Sequence, residues 1–180
     1  MDPKIAKKFQ ALENQRNDLL NELNQLTPEQ LSFSPVPDRW SIEQVLYHLI
    51  QSEQGTMQYL GKKIQAEALP RAGLVSAVKS LSLTIALRSP LKFKAPQRIA
   101  PPQQPPHYGE LVREWENIRQ SLGEFLEVLP RERNHSVIFR HPVIGYINIF
   151  QTLRFLQEHI AHHIKQIQRI RSAPNFPSGG

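Results

Sequence analysis

Four stretches of this 180-residue chain carry apolar residues three and four positions apart, each over roughly 20 to 25 residues. No other feature limits the possible folds as strongly. A helix with one apolar stripe must bury that stripe against another element. Four helices of matched length, each about 30 to 37 Å at ~1.5 Å per residue, bury theirs together as a bundle. The first stretch, residues 4 to 26, places Ile5, Phe9, Leu12, Leu19, Leu23 and Leu26 in register. The second runs to about Gln65 with Ile42, Val45, Leu46, Leu49, Leu60 and Ile64 on its arc. The third covers Tyr108 to Leu129 with Leu111, Trp115, Ile118, Leu122, Phe125 and Leu129. The fourth ends near Arg171 and carries Leu153, Leu156, Ile160, Ile164 and Ile167.

The starts of these helices are written locally. Thr27-Pro28-Glu29-Gln30 joins an N-cap threonine, a first-turn proline and a glutamine able to close a capping box, so a short helical turn follows the first stretch. The loop Ser34-Pro35-Val36-Pro37-Asp38 ends that turn. Ser41 with Gln44 repeats the capping pattern at the second long helix, where Trp40 is placed to staple onto Val45. Asn148 with Gln151 repeats it at the fourth. Pro130 stops the third helix, and residues 131 to 147 read as a loop with a short extended piece at Val137-Ile138-Phe139.

The connections set the topology. The first two long helices, and the last two, are joined closely enough to be antiparallel neighbours. The second and third are separated by about 42 residues, in which 74 to 87 can form an amphipathic helix and six prolines between Pro90 and Pro106 exclude a regular one. A crossover of that length lets the second and third helices run parallel. The expected fold is therefore an all-α four-helix bundle of up-down-down-up topology. It forms one domain over residues 1–172, and a flexible tail covers 173–180.

Composition narrows the function. Apolar residues make up 39% and charged residues 21%, a globular balance, and no run approaches the ~20 apolar residues of a membrane span. Met1-Asp2-Pro3-Lys4 opens onto a polar amphipathic segment without an apolar signal core, so a cytoplasmic protein with no membrane partner is expected. There is no cysteine, hence no disulfide, thiolate metal site or cysteine nucleophile; any thiol in the chemistry must come from elsewhere. The net charge is +6 and the pI about 9.8. The Lys and Arg residues are scattered, which fits a solvated surface better than a nucleic-acid footprint.

Chemistry concentrates in the histidines. His159 and His163 lie one turn apart on one helix face, about 40° from each other, a spacing that can bring two ring nitrogens onto one metal. His162 points about 100° away from His163 and falls outside that pair. His48, at the edge of the second helix's apolar arc, is the candidate third ligand. Three neutral imidazoles and an open position describe a catalytic metal site, with Gln166 on the same face able to satisfy a second ring nitrogen. Spacing alone leaves packed core histidines as an equal alternative.

Two segments carry a resemblance. Trp40-Ser41-Ile42-Glu43-Gln44-Val45-Leu46-Tyr47-His48-Leu49 resembles the entry into the second helix, with its ligand histidine, of the DinB/YfiT-like metalloenzyme family. His159-Ile160-Ala161-His162-His163-Ile164-Lys165-Gln166-Ile167 is similar to that family's His-x-x-His-His-x-x-Gln segment, and His141-Pro142-Val143-Ile144-Gly145 also resembles members of the group. The resemblance implies an up-down-down-up bundle, a divalent metal (zinc or nickel) on His48, His159 and His163, and a homodimer. It also implies a small-molecule substrate and, in some branches, a low-molecular-weight thiol as cosubstrate. The expected function is a metal-dependent enzyme, either a thiol-dependent S-transferase or a hydrolase. The alternative is a non-catalytic metal-binding bundle or small-ligand binder.

Other residues read differently. Glu53 falls inside an apolar arc and wants a Lys or Arg from a neighbouring helix. His141 beside Pro142 shapes its turn or approaches the site. Trp40 and Trp115 read as core. Arg88, Lys92, Lys94 and Arg98 read as a solvated loop, with the mouth of an acidic-substrate site as the other reading.

Overall fold

The structure is a computed structural model and describes residues 1–64, 101–141 and 145–178. Its helices are α1 (Pro3–Leu23), the short α2 (Pro28–Ser32), α3 (Ile42–Ile64), α4 (Tyr108–Val128) and α5 (Ile149–Arg171). A 3-10 turn at Arg131–Arg133 follows α4, and strands β1 (Phe139–His141) and β2 (Gly145–Ile147) precede α5. The proposed helix at 74–87 and the cationic side chains of Arg88 to Arg98 lie outside the described residues.

The capping residues behave as local chemistry dictates. The Thr27 hydroxyl accepts from the Gln30 N–H at 3.3 Å, while the Gln30 side chain accepts from the Thr27 N–H at 3.0 Å. Ser41 and Gln44 make the same reciprocal pair at 3.2 and 2.9 Å, and Asn148 and Gln151 at 3.0 and 2.9 Å. Each box satisfies donors that a helix start leaves orphaned. α4 is capped from outside its own sequence. His107 offers no side-chain cap; the Glu43 carboxylate, from the first turn of α3, accepts the Tyr108 N–H at 3.0 Å.

Side-chain pairs give the helix directions. Glu43 meets Tyr108, Gln51 meets Glu114, and Glu53 meets Trp115 and Arg119, so α3 and α4 run parallel. Gln15 reaches Gln157 and Glu22 reaches Arg171, so α1 and α5 are also parallel. Met1 pairs with Glu127, Arg16 with Glu116, and Leu20 with Tyr108, so α1 opposes α4. Trp40, just ahead of α3, meets His163 while His48 meets His159, so α3 opposes α5. The bundle is up-down-down-up. Its core includes Ile5, Leu12, Leu46, Leu49, Trp115, Leu122, Leu153 and Ile160, all buried.

Two parallel helices with no short connection need something to register them. The Arg119 guanidinium donates to both Glu53 oxygens, Nε at 2.7 Å and Nη2 at 2.8 Å, and Trp115 Nε1 donates to the same carboxylate at 3.0 Å. Arg119 also donates to Glu13 at 2.9 Å, which ties in α1. Glu53 therefore has the arginine that its place in an apolar arc calls for.

The loop before α5 departs from the sequence reading. The extended piece lies later than Val137–Phe139 and has a partner: Phe139 pairs with Ile147, Arg140 with Tyr146, and His141 with Gly145, antiparallel. Gly145 sits at φ +79°, a left-handed conformation that glycine adopts without a Cβ penalty. Phe139 and His141 face inward and Arg140 outward, which sets the ribbon against α3 and α5. After α5 the chain returns to α2. Phe176 packs edge-on to Phe33 at 5.5 Å, and Gln30 donates to the Pro177 carbonyl at 2.9 Å. No helix among the described residues is long and apolar enough to cross a membrane.

Candidate metal centre

α3 and α5 pass each other with His48 on one and His159 and His163 on the other. All three histidines are buried. The Nε2 atoms of His48 and His159 lie 3.2 Å apart, and those of His163 and His159 lie 3.1 Å apart. One ring nitrogen from each of the three falls within 4.8 Å of the others, and no further His, Asp or Glu among the described residues joins the group. His162, half-buried, abuts the His163 ring edge-on at 5.0 Å and stays outside it.

The convergence makes chemical sense around a cation. Tetrahedral bonds of about 2.0–2.1 Å to imidazole nitrogen place ligand atoms roughly 3.3 Å apart, close to the two spacings around His159. The protonation chemistry agrees. His163 Nδ1 lies 2.9 Å from Gln166 Oε1. A ring that donates through Nδ1–H leaves an Nε2 lone pair facing the other two histidines. Burial pushes His163 down to about 3, helped by repulsion from His48 and His162 and opposed by the Gln166 hydrogen bond. Burial likewise holds His159 well below the usual imidazole value, with the other histidines adding to the effect. Both rings are thus neutral near pH 7, the form a metal ligand requires.

Aromatic rings enclose the cluster. Phe155, one turn before His159 on α5, stacks on its ring at 5.4 Å and 17°. His141, buried at the end of β1, sits edge-on to Phe155 at 4.4 Å, and burial lowers its pKa to about 4. His141 therefore does approach the site, with Phe155 between it and His159. Trp40, which the sequence suggests is core, is half-buried and lies on His48 at 5.1 Å and on His163 at 6.4 Å. Trp115 is fully buried core, as expected. The nearness of Phe155 was available from sequence, since it lies four residues before His159. That of Trp40 was not, because it precedes its helix and follows no period. A separate groove of about 530 Å³ lies toward the start of α5, between Asp2, Arg131, Asn134, His135 and Phe150. None of the three clustered histidines lines it.

The family model of the DinB superfamily matches residues 11–167. The chain belongs to the DinB superfamily. The DinB match takes in α3 and α4 whole, most of α1 and α5, and the three clustered histidines. One curated relative is the Bacillus subtilis (strain 168) protein YuaE, 24% identical over 156 residues, covering 87% of this chain and 92% of YuaE. A similar solved structure is YfiT from Bacillus subtilis, with a TM-score of 0.63 at 18% identity over 95% of this chain and 87% of YfiT. YfiT is described as a probable metal-dependent hydrolase with an unusual four-helix bundle topology. At that identity the likeness carries the DinB fold to this chain and leaves the activity to be argued from the site.

Proposed function

We propose that this protein is a metal-dependent enzyme that holds one divalent ion, zinc or nickel, on His48, His159 and His163 and acts hydrolytically on a small-molecule substrate. The observation that carries the reading is the convergence of three buried histidines, with the His159 Nε2 at 3.2 Å from that of His48 and 3.1 Å from that of His163 and one ring nitrogen of each within 4.8 Å of the others. It is supported by three histidine donors without a fourth protein ligand among the described residues, the pattern of catalytic rather than structural sites. An ion held by these histidines would supply Lewis acidity, enough to acidify a water or small thiol. The protein's own part is to hold His159 and His163 deprotonated by burial, to fix His163 through Gln166, and to shield the ring faces with Phe155 and Trp40. The name given to YfiT agrees with hydrolysis. A second reading, transfer of a low-molecular-weight thiol to an electrophile, is favoured by the absence of cysteine, since the sulfur nucleophile must then arrive with a cosubstrate.

The test is elemental analysis of protein purified without an affinity tag, then reconstitution with zinc or nickel and assay on activated esters and amides, with and without a thiol. About one ion per chain is expected, lost in His48→Ala, His159→Ala and His163→Ala. Turnover without thiol supports hydrolysis; strict thiol dependence supports transfer. Less than a tenth of an ion per chain, with no gain on added zinc or nickel, rules the metal reading out.

A further inference from the structure

Histidine χ2 wells are broad, so a helix backbone alone does not fix where Nε2 points. A small rotation about Cβ–Cγ carries Nε2 away from a point shared by three rings. His163 has one constraint in the Gln166 contact at Nδ1, and His159 has a stacked ring in Phe155. Trp40 also touches two of the three histidines, and it precedes the helix of one and lies away from the helix of the other. The Trp40 indole lies 6.4 Å from the His163 ring at 16°, nearly parallel, and 5.1 Å from the His48 ring at 47°. Both separations fall in the range of favourable aromatic contact. Trp40 thus spans the α3–α5 junction from outside and bears on a ring from each helix.

The chain on both sides of Trp40 is pinned, so the indole is delivered rather than loosely laid there. On the C-terminal side Ser41 caps α3 through the reciprocal bonds with Gln44. On the N-terminal side Asp38 takes a left-handed φ of 64° inside a turn closed by the Arg39 N–H to the Val36 carbonyl at 3.2 Å. The Ser34 hydroxyl donates to the Arg39 carbonyl across the same turn. Without the Asp38 reversal, the two prolines at 35 and 37 would carry the segment on in extended form. Tight turn, indole and helix cap form one device.

We infer that Trp40 is a positioning residue for the metal site: it sets the ring orientations of His48 and His163 before an ion arrives. The inference rests on the reading of His48, His159 and His163 as the ligand set. In this role Trp40 acts through the two imidazoles it packs against. Removal of the indole takes one restraint from each of the two rings, so the ion must then pay for ordering that the protein now supplies in advance.

The experiment measures zinc affinity of the full chain by competition with a chromophoric chelator, and the visible spectrum of the cobalt-loaded protein. The wild type is compared with Trp40→Phe, Trp40→Leu and Trp40→Ala. Partners behind a ligand histidine typically set affinity by about 10–100-fold, and Trp40→Ala and Trp40→Leu should lose an amount in that range. Trp40→Phe keeps a flat face and should recover most of it. The cobalt bands should shift in the Leu and Ala variants and return toward wild type in the Phe variant, a signature that general loosening of the fold does not produce. Trp40→Leu keeps apolar bulk and guards against an unfolded alanine variant, with the metal-free melting temperature as the control. If Trp40→Leu binds zinc as tightly as wild type and gives the same cobalt spectrum, the inference is overturned while the metal reading stands. If the wild type binds no zinc, the metal reading falls first and this inference with it.

Discussion

His163 meets opposite demands from its two nitrogens, and Gln166 reconciles them. The ring is buried, so Nδ1 needs a polar partner and Nε2 must keep its lone pair toward His159. Gln166→Ala leaves that nitrogen without its present partner, and zinc affinity measured by chelator competition should fall by about 10–100-fold. Burial also has a pH consequence. His163 is held at about 3, His141 at about 4 and His159 well below 6.5, whereas imidazoles of the unfolded chain titrate near 6.5. The unfolded state therefore takes up protons first on acidification. Stability present above pH ~6.5 is lost as pH falls below it, by up to about 1.4 kcal/mol per pH unit for each such group. The melting temperature of metal-free protein should drop steadily from pH 6.5 to 4. A flat profile would show that these rings are not held neutral by burial.

At the element scale, what could be read in the sequence divides along a physical line. The capping boxes at Thr27, Ser41 and Asn148 are local, needing only residues three apart, and all three form. Asn148→Ala should accordingly cost about 1 kcal/mol in urea unfolding, since it removes the acceptor for the Gln151 N–H at the start of α5. The cap on α4 was not legible, because Glu43 reaches Tyr108 from 65 residues away and no period links them. The ribbon was half legible. Strands of three residues are too short to show alternation, so the β2 half left no trace. Glu53 was legible as a problem, a carboxylate among leucines, but its solution on Arg119 was not. Breaking that pair leaves the buried guanidinium with Glu13 as its remaining carboxylate, so Glu53→Ala should destabilise by about 3 kcal/mol, measured by urea unfolding. A loss below 1 kcal/mol would mean that water reaches Arg119 in the bundle.

Across the whole molecule, four stripes of matched length and one long crossover were enough to indicate an up-down-down-up bundle. The same crossover, between the second and third long helices, lets α3 and α4 stand parallel. The three-histidine group joins α3 to α5, so an ion held there cross-links antiparallel neighbours contributed by distant parts of the chain. Mass action then predicts that zinc at a hundred times its dissociation constant stabilises the fold by about 2.7 kcal/mol. Differential scanning calorimetry should show a rise in melting temperature with zinc that is reversed by chelator and absent in His48→Ala.

His48 and His159 touch across 111 residues of sequence. During synthesis and folding this places the centre late in the order of events, because loops of that length close slowly compared with a helical turn. A nascent chain that has made α1 to α4 offers one of the three imidazoles, and a free α5 offers two. The complete chelate exists only after the last helix has docked. On the proposed metal reading, capture of an ion would mark the end of folding, after the bundle has assembled on its apolar stripes.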